Sequence, residues 1–286
     1  MKKINAVLGA CLVFLVLSCQ SLRATSELPK PEKIRIYSFN IQIFGASKML
    51  KPEVVGILVD IISGADIVAI QEVRSASPVP VEQFMALLPE NYACVLGPRE
   101  GRSSSKEQYW IIYDTAKLTV LEASVWPDEE DLYERNPLGV YFQTYDKFDF
   151  ILINNHLRPS DAAQEIGSLP GVIAWYQELW HETDVLVVGD FNADGIYYDE
   201  SLLDVVFPKP EYKIIITNEY DTTVAESDNT YDRFIITASS IEDYTGSHGV
   251  LRFDEAYDFS QYTIEPKEVS DHYPIWAEFY VGMDKD

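Results

Sequence analysis

Near the end of an apolar run, the segment Val188-Gly189-Asp190-Phe191-Asn192-Ala193-Asp194 places a carboxylate and a carboxamide two residues apart. Residues i and i+2 of a strand share a side, so Asp190 and Asn192 can address one point in space if the extended geometry persists. Such a pair suits a divalent cation and a phosphoryl oxygen. Other polar residues recur where apolar runs stop: Asn40 after Ile34–Phe39, Glu72 after Asp66–Gln71, His156 after Phe150–Asn155, and Asp232 beside Arg233. Asp271 and His272 precede the final apolar run. Singly, each is an ordinary strand-end or turn residue. Together they form the set a metal-assisted proton-transfer site needs, with oxygen donors for a hard cation and imidazoles that exchange protons near neutrality. His181 and His248 stand in ordinary helix-end and loop contexts.

These positions need elements that bring chain-distant strand ends together. Ile34–Asn40 alternates apolar and polar residues, and Asp66–Glu72 reads as a second strand. Between them Pro52–Ile62 carries Val55, Leu58, Val59 and Ile62 on one helical face. A short helix is expected over Val81–Leu88. Strands are expected at Tyr92–Leu96, Gln108–Tyr113, Leu118–Val125, Val140–Tyr145 and Phe150–Asn155, then a long helix over Pro159–Glu182. The strand ending at Asp190 follows, with others at Lys213–Ile216, Tyr231–Thr237 and Pro274–Val281. Two strand-rich blocks separated by the long helix predict an α/β (α+β) fold of two packed sheets with helices outside.

The N-terminus reads differently. Lys2 and Lys3 precede an apolar run from Ala6 to Leu17, too short for a comfortable membrane span and suited to a signal peptide. Val16-Leu17-Ser18-Cys19 resembles a bacterial lipobox. The expected organisation is a signal peptide over 1–18, lipidation at Cys19, a Pro-containing tether over 19–32, and one domain over 33–286; cleavage after Ala24 with secretion is the alternative. With Cys11 in the signal and Cys19 lipidated, Cys94 is left alone, so no disulfide is expected. The chain carries 46 acidic against 22 basic residues, a net charge of −24. That argues against binding a polyanion through a broad basic face, and for bound cations and a few local arginines.

Taken in order, Phe39-Asn40-Ile41 with Phe44-Gly45, Ile70-Gln71-Glu72-Val73-Arg74, Gly101-Arg102 with Lys106-Glu107 and Tyr109, Pro159-Ser160-Asp161-Ala162, Gly189 to Asp194, Tyr231-Asp232-Arg233 and Ser270 to Pro274 resemble the endonuclease/exonuclease/phosphatase superfamily, and within it the deoxyribonuclease I branch. The resemblance implies a four-layer sandwich of two mixed β-sheets flanked by helices, and hydrolysis of a DNA phosphodiester with Mg²⁺ or Mn²⁺. It implies Glu72 and Asn40 as metal ligands, with Asp190, Asn192 and Asp271 completing the metal and phosphate site. It pairs His156 with Glu107 and His272 with Asp232 as catalytic dyads. Arg74, Arg102 and Arg135 become candidate phosphate contacts, and Asp221 with Thr223 a structural Ca²⁺ site; a second Ca²⁺ at Asp128–Asp131 is less favoured than a solvated loop. The likeness departs at Ser105, where the branch has a groove-inserting Tyr, at Gln42 in place of Arg, and at Gly195 and Asn229 in place of a disulfide. A membrane-tethered, exported, monomeric endonuclease is therefore expected. The alternatives are a sphingomyelinase, a phosphoinositide phosphatase, a cytolethal distending toxin-like subunit, or a non-catalytic surface binding protein.

Overall fold

The computed structural model describes residues 33–102 and 104–282. The expected signal peptide, the tether and Cys19 lie outside the described residues. Among the described residues, no helix is long and apolar enough to cross a membrane.

Twelve strands run in chain order: β1 Lys33–Phe44, β2 Ile67–Val73, β3 Tyr92–Leu96, β4 Gln108–Asp114, β5 Leu118–Val125, β6 Leu138–Thr144, β7 Asp149–His156, β8 Val185–Asp190, β9 Tyr212–Ile214, β10 Asp232–Thr237, β11 Tyr244–Val250 and β12 Ile275–Tyr280. They form two six-stranded sheets, ordered β11-β12-β1-β2-β4-β3 and β5-β6-β7-β8-β10-β9. Each sheet has one parallel pair near its middle, β1–β2 and β7–β8, with antiparallel strands on both sides. The architecture is the expected four-layer sandwich. The division between sheets differs from expectation. The long helix, Ala162–Trp180, lies within the second sheet's run as the crossover joining β7 to β8. The chain instead leaves the first sheet after β4, builds the whole second sheet, and returns with β11 and β12. The long helix is also shorter than the pattern suggested, opening on a 3-10 turn at Pro159–Asp161 and stopping where His181 turns left-handed, φ 55°.

Strand alternation sorts the apolar residues into three layers. Ile34, Ile36, Ile67, Ala69, Leu152, Leu186, Val188, Phe234 and Ile236 fill the space between the sheets. Phe39, Ile41, Val68 and Ile70 face the helix Pro52–Ser63, which buries Val54, Leu58 and Ile61 against them. Ile151, Ile153, Val185 and Val187 face the long helix through Ile166, Leu169, Val172 and Tyr176.

The inter-sheet layer becomes polar towards the C-terminal ends of the parallel strands. Gln71 on β2 donates to Ser38 Oγ on β1 (3.1 Å) and across the gap to Asn154 Oδ1 on β7 (2.7 Å). Asn154 returns a bond to the Ile70 carbonyl, 3.0 Å. These buried amides bond across the gap and fix the register of sheet on sheet, although Gln71 Oε1 is buried without a partner. One further in-facing position along, Asn40, His156, Asp190 and, on antiparallel β10, Asp232 occupy the open end of the layer.

The β7–β8 contact is close enough to require glycine. Gly189 sits at φ 141°, and a Cβ there would fall 1.9 Å from the Asn155 carbonyl oxygen. Backbone cannot yield as a side chain can. Gly189→Ala is expected to cost about 3 kcal/mol, read as a lowered urea midpoint. An unchanged midpoint would contradict the strand spacing described here.

Candidate active site

Asp190 is the hub. Its carboxylate is almost wholly buried and accepts from Asn40 Nδ2 (3.1 Å) and from the Asn192 backbone (3.0 Å). Two imidazoles point their Nε2 atoms at its Oδ2, His156 and His272, each at 3.5 Å. On the far side each ring meets a second carboxylate: His156 Nδ1 lies 3.2 Å from Glu107, and His272 Nδ1 lies 2.7 Å from Asp232. The structure therefore brings both expected pairs together and joins them through Asp190.

The charges compensate one another. Burial would raise the Glu107 carboxyl, but His156, Arg135 and Arg74 outweigh it and hold the group at about 2. Burial would likewise discourage a charged His272; Asp232 and Asp190 outweigh it and raise the imidazole to about 10. Asp190 is held below the usual carboxylate range despite its burial, because both histidines and the Asn192 and Asn40 donors favour its anion.

Glu72 reaches the site by an irregularity. Strand parity would send it towards the helix side with Val68 and Ile70. Instead it adopts a left-handed conformation, φ 66°, where the β2 register shifts. The turned carboxylate accepts from Asn40 Nδ2 (3.2 Å) and the Ile43 backbone (2.9 Å), and pairs with Arg74 at 3.1 Å. Gln42 and Ile43 are also left-handed, and a buried Lys48 ammonium ties this stretch down. Lys48 donates to the carbonyls of Ile41 (2.6 Å), Gln42 (2.7 Å) and Val269 (2.8 Å), joining the end of β1 to the segment that delivers Asp271 and His272. Burial pulls Lys48 down to about 8 against the opposing fields of Asp271 and Glu72.

Glu72 and Asp271 are the carboxylates that would hold a hard divalent cation, with Glu72 giving up its bond to Arg74 or Ile43 N to do so. Glu72 and Asp271 bring oxygen donors near the same ammonium, and Asp271 Oδ1 is buried without a hydrogen-bond partner. Asp190, Asp232 and His272 also hold ligand-type atoms within 4.8 Å of one another. There, however, Asp232 and His272 already bind each other, at 2.7 Å. Asn40 bridges the carboxylates of Glu72 and Asp190 through its amide nitrogen, while its oxygen accepts from Gln42 N at 3.0 Å.

Other expectations need adjustment. Asn192 does not continue the strand: β8 stops at Asp190, and Asn192 is left-handed at φ 48°, its amide donating to the Leu157 carbonyl (2.9 Å). It holds Asp190 and the His156 loop together instead of projecting beside Asp190. Arg135 pairs with Glu107 and donates to the His156 carbonyl, 2.8 Å, which makes it a support of the dyad. Arg74 bridges Glu72 and Glu107. Arg102 is bound to Asp131 and Glu134 at the rim, so the acidic run Asp128–Asp131 has an arginine partner. Asp221 and Thr223 do meet, but the Asp221 carboxylate is occupied by Thr223 N (3.0 Å), Asn229 N (3.4 Å) and Arg252 Nη1 (3.3 Å). Gly195 and Asn229 lie together, with a Cβ on Gly195 3.2 Å from Asn229 Oδ1, so the loops adjoin where no cysteine links them. Cys94 is free. His248 is wedged between Tyr220 and Tyr244, away from the dyads.

Sequence reasoning missed Lys48 and Glu165. Glu165, fully buried on the long helix, accepts from Glu134 N (2.8 Å) and Arg158 N (2.7 Å), and so fixes the loops that carry Arg135 and His156. Neither residue has a local signal, because Lys48 joins the end of β1 to Val269 and Glu165 joins two separate loops, and no sequence pattern marks either link.

This fold, with this site at the shared edge of its two parallel strand pairs, is that of the endonuclease/exonuclease/phosphatase family, and the chain belongs to it: the family profile matches residues 37–272. Among curated proteins the chain is similar to deoxyribonuclease-1 of Bos taurus, 32% identical over 257 residues, covering 85% of this chain and 90% of that protein. Deoxyribonuclease-1-like 2 of Mus musculus is 31% identical over 256 residues, covering 86% and 91%. Among solved structures, a family member from Bacteroides thetaiotaomicron superposes with a TM-score of 0.61 at 16% identity, covering 88% of this chain and 96% of that one. D. rerio TDP2 complexed with a single-strand DNA product gives 0.63 at 17% identity, covering 86% and 98%. The structural likenesses show the fold.

Glu107 stabilises the folded protein in its anionic form. Its folded pKa, about 2, lies below the ordinary 4.5, so the contribution is present above about pH 4.5 and is lost as pH falls towards 2. Glu107→Gln should therefore be less stable at pH 7 by on the order of 3 kcal/mol, with the two unfolding free energies converging in acid. Parallel curves from pH 7 to acid would refute this assignment.

Proposed function

We propose that the protein is an exported, membrane-tethered endonuclease that acts as a monomer and hydrolyses DNA phosphodiester bonds with a divalent metal, Mg²⁺ or Mn²⁺. The observation that carries the chemistry is the convergence of the two imidazoles on Asp190, each backed by its own carboxylate. Similarity to deoxyribonuclease-1 across most of both chains supports DNA as substrate. Export and tethering rest on the N-terminal sequence, with 1–18 as signal peptide, Cys19 as lipidated residue and 19–32 as tether.

In this reading a phosphodiester enters between the histidine Nε2 atoms. His272, raised to about 10, stays an imidazolium at neutral pH and clamps a phosphate oxygen. Asp190 orients the attacking water, and Asn40 and Asn192 hold Asp190 in place. The water oxygen bonds to phosphorus as one ester P–O bond breaks. The water proton passes through Asp190 to His156, the leaving oxygen takes the Nε2 proton of the His272 imidazolium, and proton exchange with solvent restores both rings. Glu107 and Asp232 fix the ring orientations throughout. A cation held by Glu72 and Asp271, with Asn40 beside them, would screen the phosphate charge and stabilise the five-coordinate phosphorus.

Ser105 is exposed where a groove-inserting Tyr would stand, and Arg102 is neutralised by Asp131 and Glu134. These features favour a second reading, in which another phosphoester is the substrate.

Both readings meet one experiment. Residues 33–286 are incubated with supercoiled plasmid and Mg²⁺, and in parallel with sphingomyelin and a phosphoinositide. Nicking that EDTA abolishes is the expected result, with His156→Ala and His272→Ala each slower by roughly 10²–10⁴-fold at unchanged circular dichroism. Lipid turnover without nicking would transfer the assignment to the second reading. Separately, Glu72→Gln should raise the Mg²⁺ concentration for half-maximal rate by about tenfold or more. An unaltered Mg²⁺ titration would remove Glu72 from the metal site.

A further inference from the structure

The loop 221–230 is zipped to the strand entry that carries His272. Tyr273 N donates to the Thr222 carbonyl (2.8 Å), Val224 N donates to the Asp271 carbonyl (2.8 Å), and Thr223 forms a β-bridge with His272. Thr222 Oγ1 also accepts from Tyr231 N (3.1 Å) and Asp232 N (3.2 Å), so the same loop sets the other half of the Asp232–His272 dyad. Whatever fixes Asp221 therefore fixes the dyad.

Arg252 performs that task. Its guanidinium lies over the Tyr273 ring, 4.6 Å from the centroid, and reaches Asp221 Oδ2 at 3.3 Å and Tyr273 Oη at 3.4 Å. It also pairs with Glu255 at 3.2 Å and Asp254 at 3.9 Å, while Tyr273 donates to Asp254 at 2.7 Å. One rigid, permanently charged fork thus serves two elements and an aromatic face, so its ordering entropy is lost once for several contacts. The other oxygen of Asp221 is already taken by the loop's own donors, Thr223 N and Oγ1 and Asn229 N. Calcium, which would need free carboxylate and carbonyl oxygens in number, does not fit a carboxylate occupied in this way.

We propose that Arg252 is the fixed cation of the Asp221 loop and positions the His272 segment without calcium. The role of His272 itself rests on the function proposed above; the loop's indifference to calcium does not. The test compares wild type, Arg252→Met and Arg252→Lys for melting temperature in EGTA and in millimolar CaCl₂, and for steady-state plasmid nicking.

Wild type should melt within about 1 °C of the same temperature in both buffers, since a ligand that does not bind cannot shift the equilibrium. Arg252→Met should melt roughly 3 °C lower in EGTA and recover part of that loss in CaCl₂, because Asp221 and Asp254 then face each other without a cation. Its kcat should fall roughly ten- to hundredfold with KM held, as expected of a displaced reacting group, and Arg252→Lys should lie between the two. Should Arg252→Met fail to fold, Arg252→Lys carries the comparison, since it keeps the charge and loses the planar stack. A wild type that gains several degrees in CaCl₂, or an Arg252→Met that matches it in melting and kcat, would overturn the proposal. Wild type that nicks nothing would instead sink the nuclease reading, and the melting comparison would still decide the role of Arg252.

Discussion

A carboxylate buried at the end of a central strand is costly unless charge and hydrogen bonds surround it, and Asp190 sets that demand for the whole site. Asn40 answers from the first sheet, Asn192 from the turn beyond the strand, His156 from the end of β7 and His272 from the segment before β12. Each histidine, once drawn into the interior, needs a compensating anion of its own, which Glu107 and Asp232 supply. Glu107 in turn calls for Arg135 and Arg74. The proposed catalytic set and the charge-compensation set are thus largely the same residues.

The fold makes this compensation possible by geometry. Parallel strands end at the same edge of a sheet, and ligands of open α/β folds gather there. Here two such pairs lie face to face, so four strand ends share one opening. The Gln71–Asn154 pair just below them stops one sheet sliding on the other by a residue, a slip that would part Asn40 from Asp190. Helices on the outer faces bury the alternate residues and stay clear of the opening.

Much of this was legible in the sequence, because strand alternation carries facing as well as existence. Ile34, Ile36, Ser38 and Asn40 form one series, Leu186, Val188 and Asp190 another, and in both the polar residue simply ends an apolar row. What alternation could not convey lies where backbone regularity fails. Glu72 is turned to the site by a left-handed residue against its parity, and Asn192 is turned away from the simple extension of β8. The strand β11, with Gly246-Ser247-His248-Gly249 at its centre, has no apolar rhythm to announce it. Lys48 is unreadable for another reason: of its three carbonyl partners, Val269 is 221 residues away, and nothing around Lys48 distinguishes a buried ammonium from a surface one. Arg252 likewise gains meaning only beside Asp221 and Tyr273.

The return of the chain to its first sheet has a temporal consequence. β12 pairs with β1, the first strand with the last, and the segment just before β12 delivers Asp271 and His272. A chain emerging from the ribosome can order most of the second sheet, with His156, Asp190 and Asp232, while still lacking the residue that faces them. The site therefore closes only once the segment before β12 has joined the first sheet. The site is thus the last part of the described fold to be completed, an order set by topology alone.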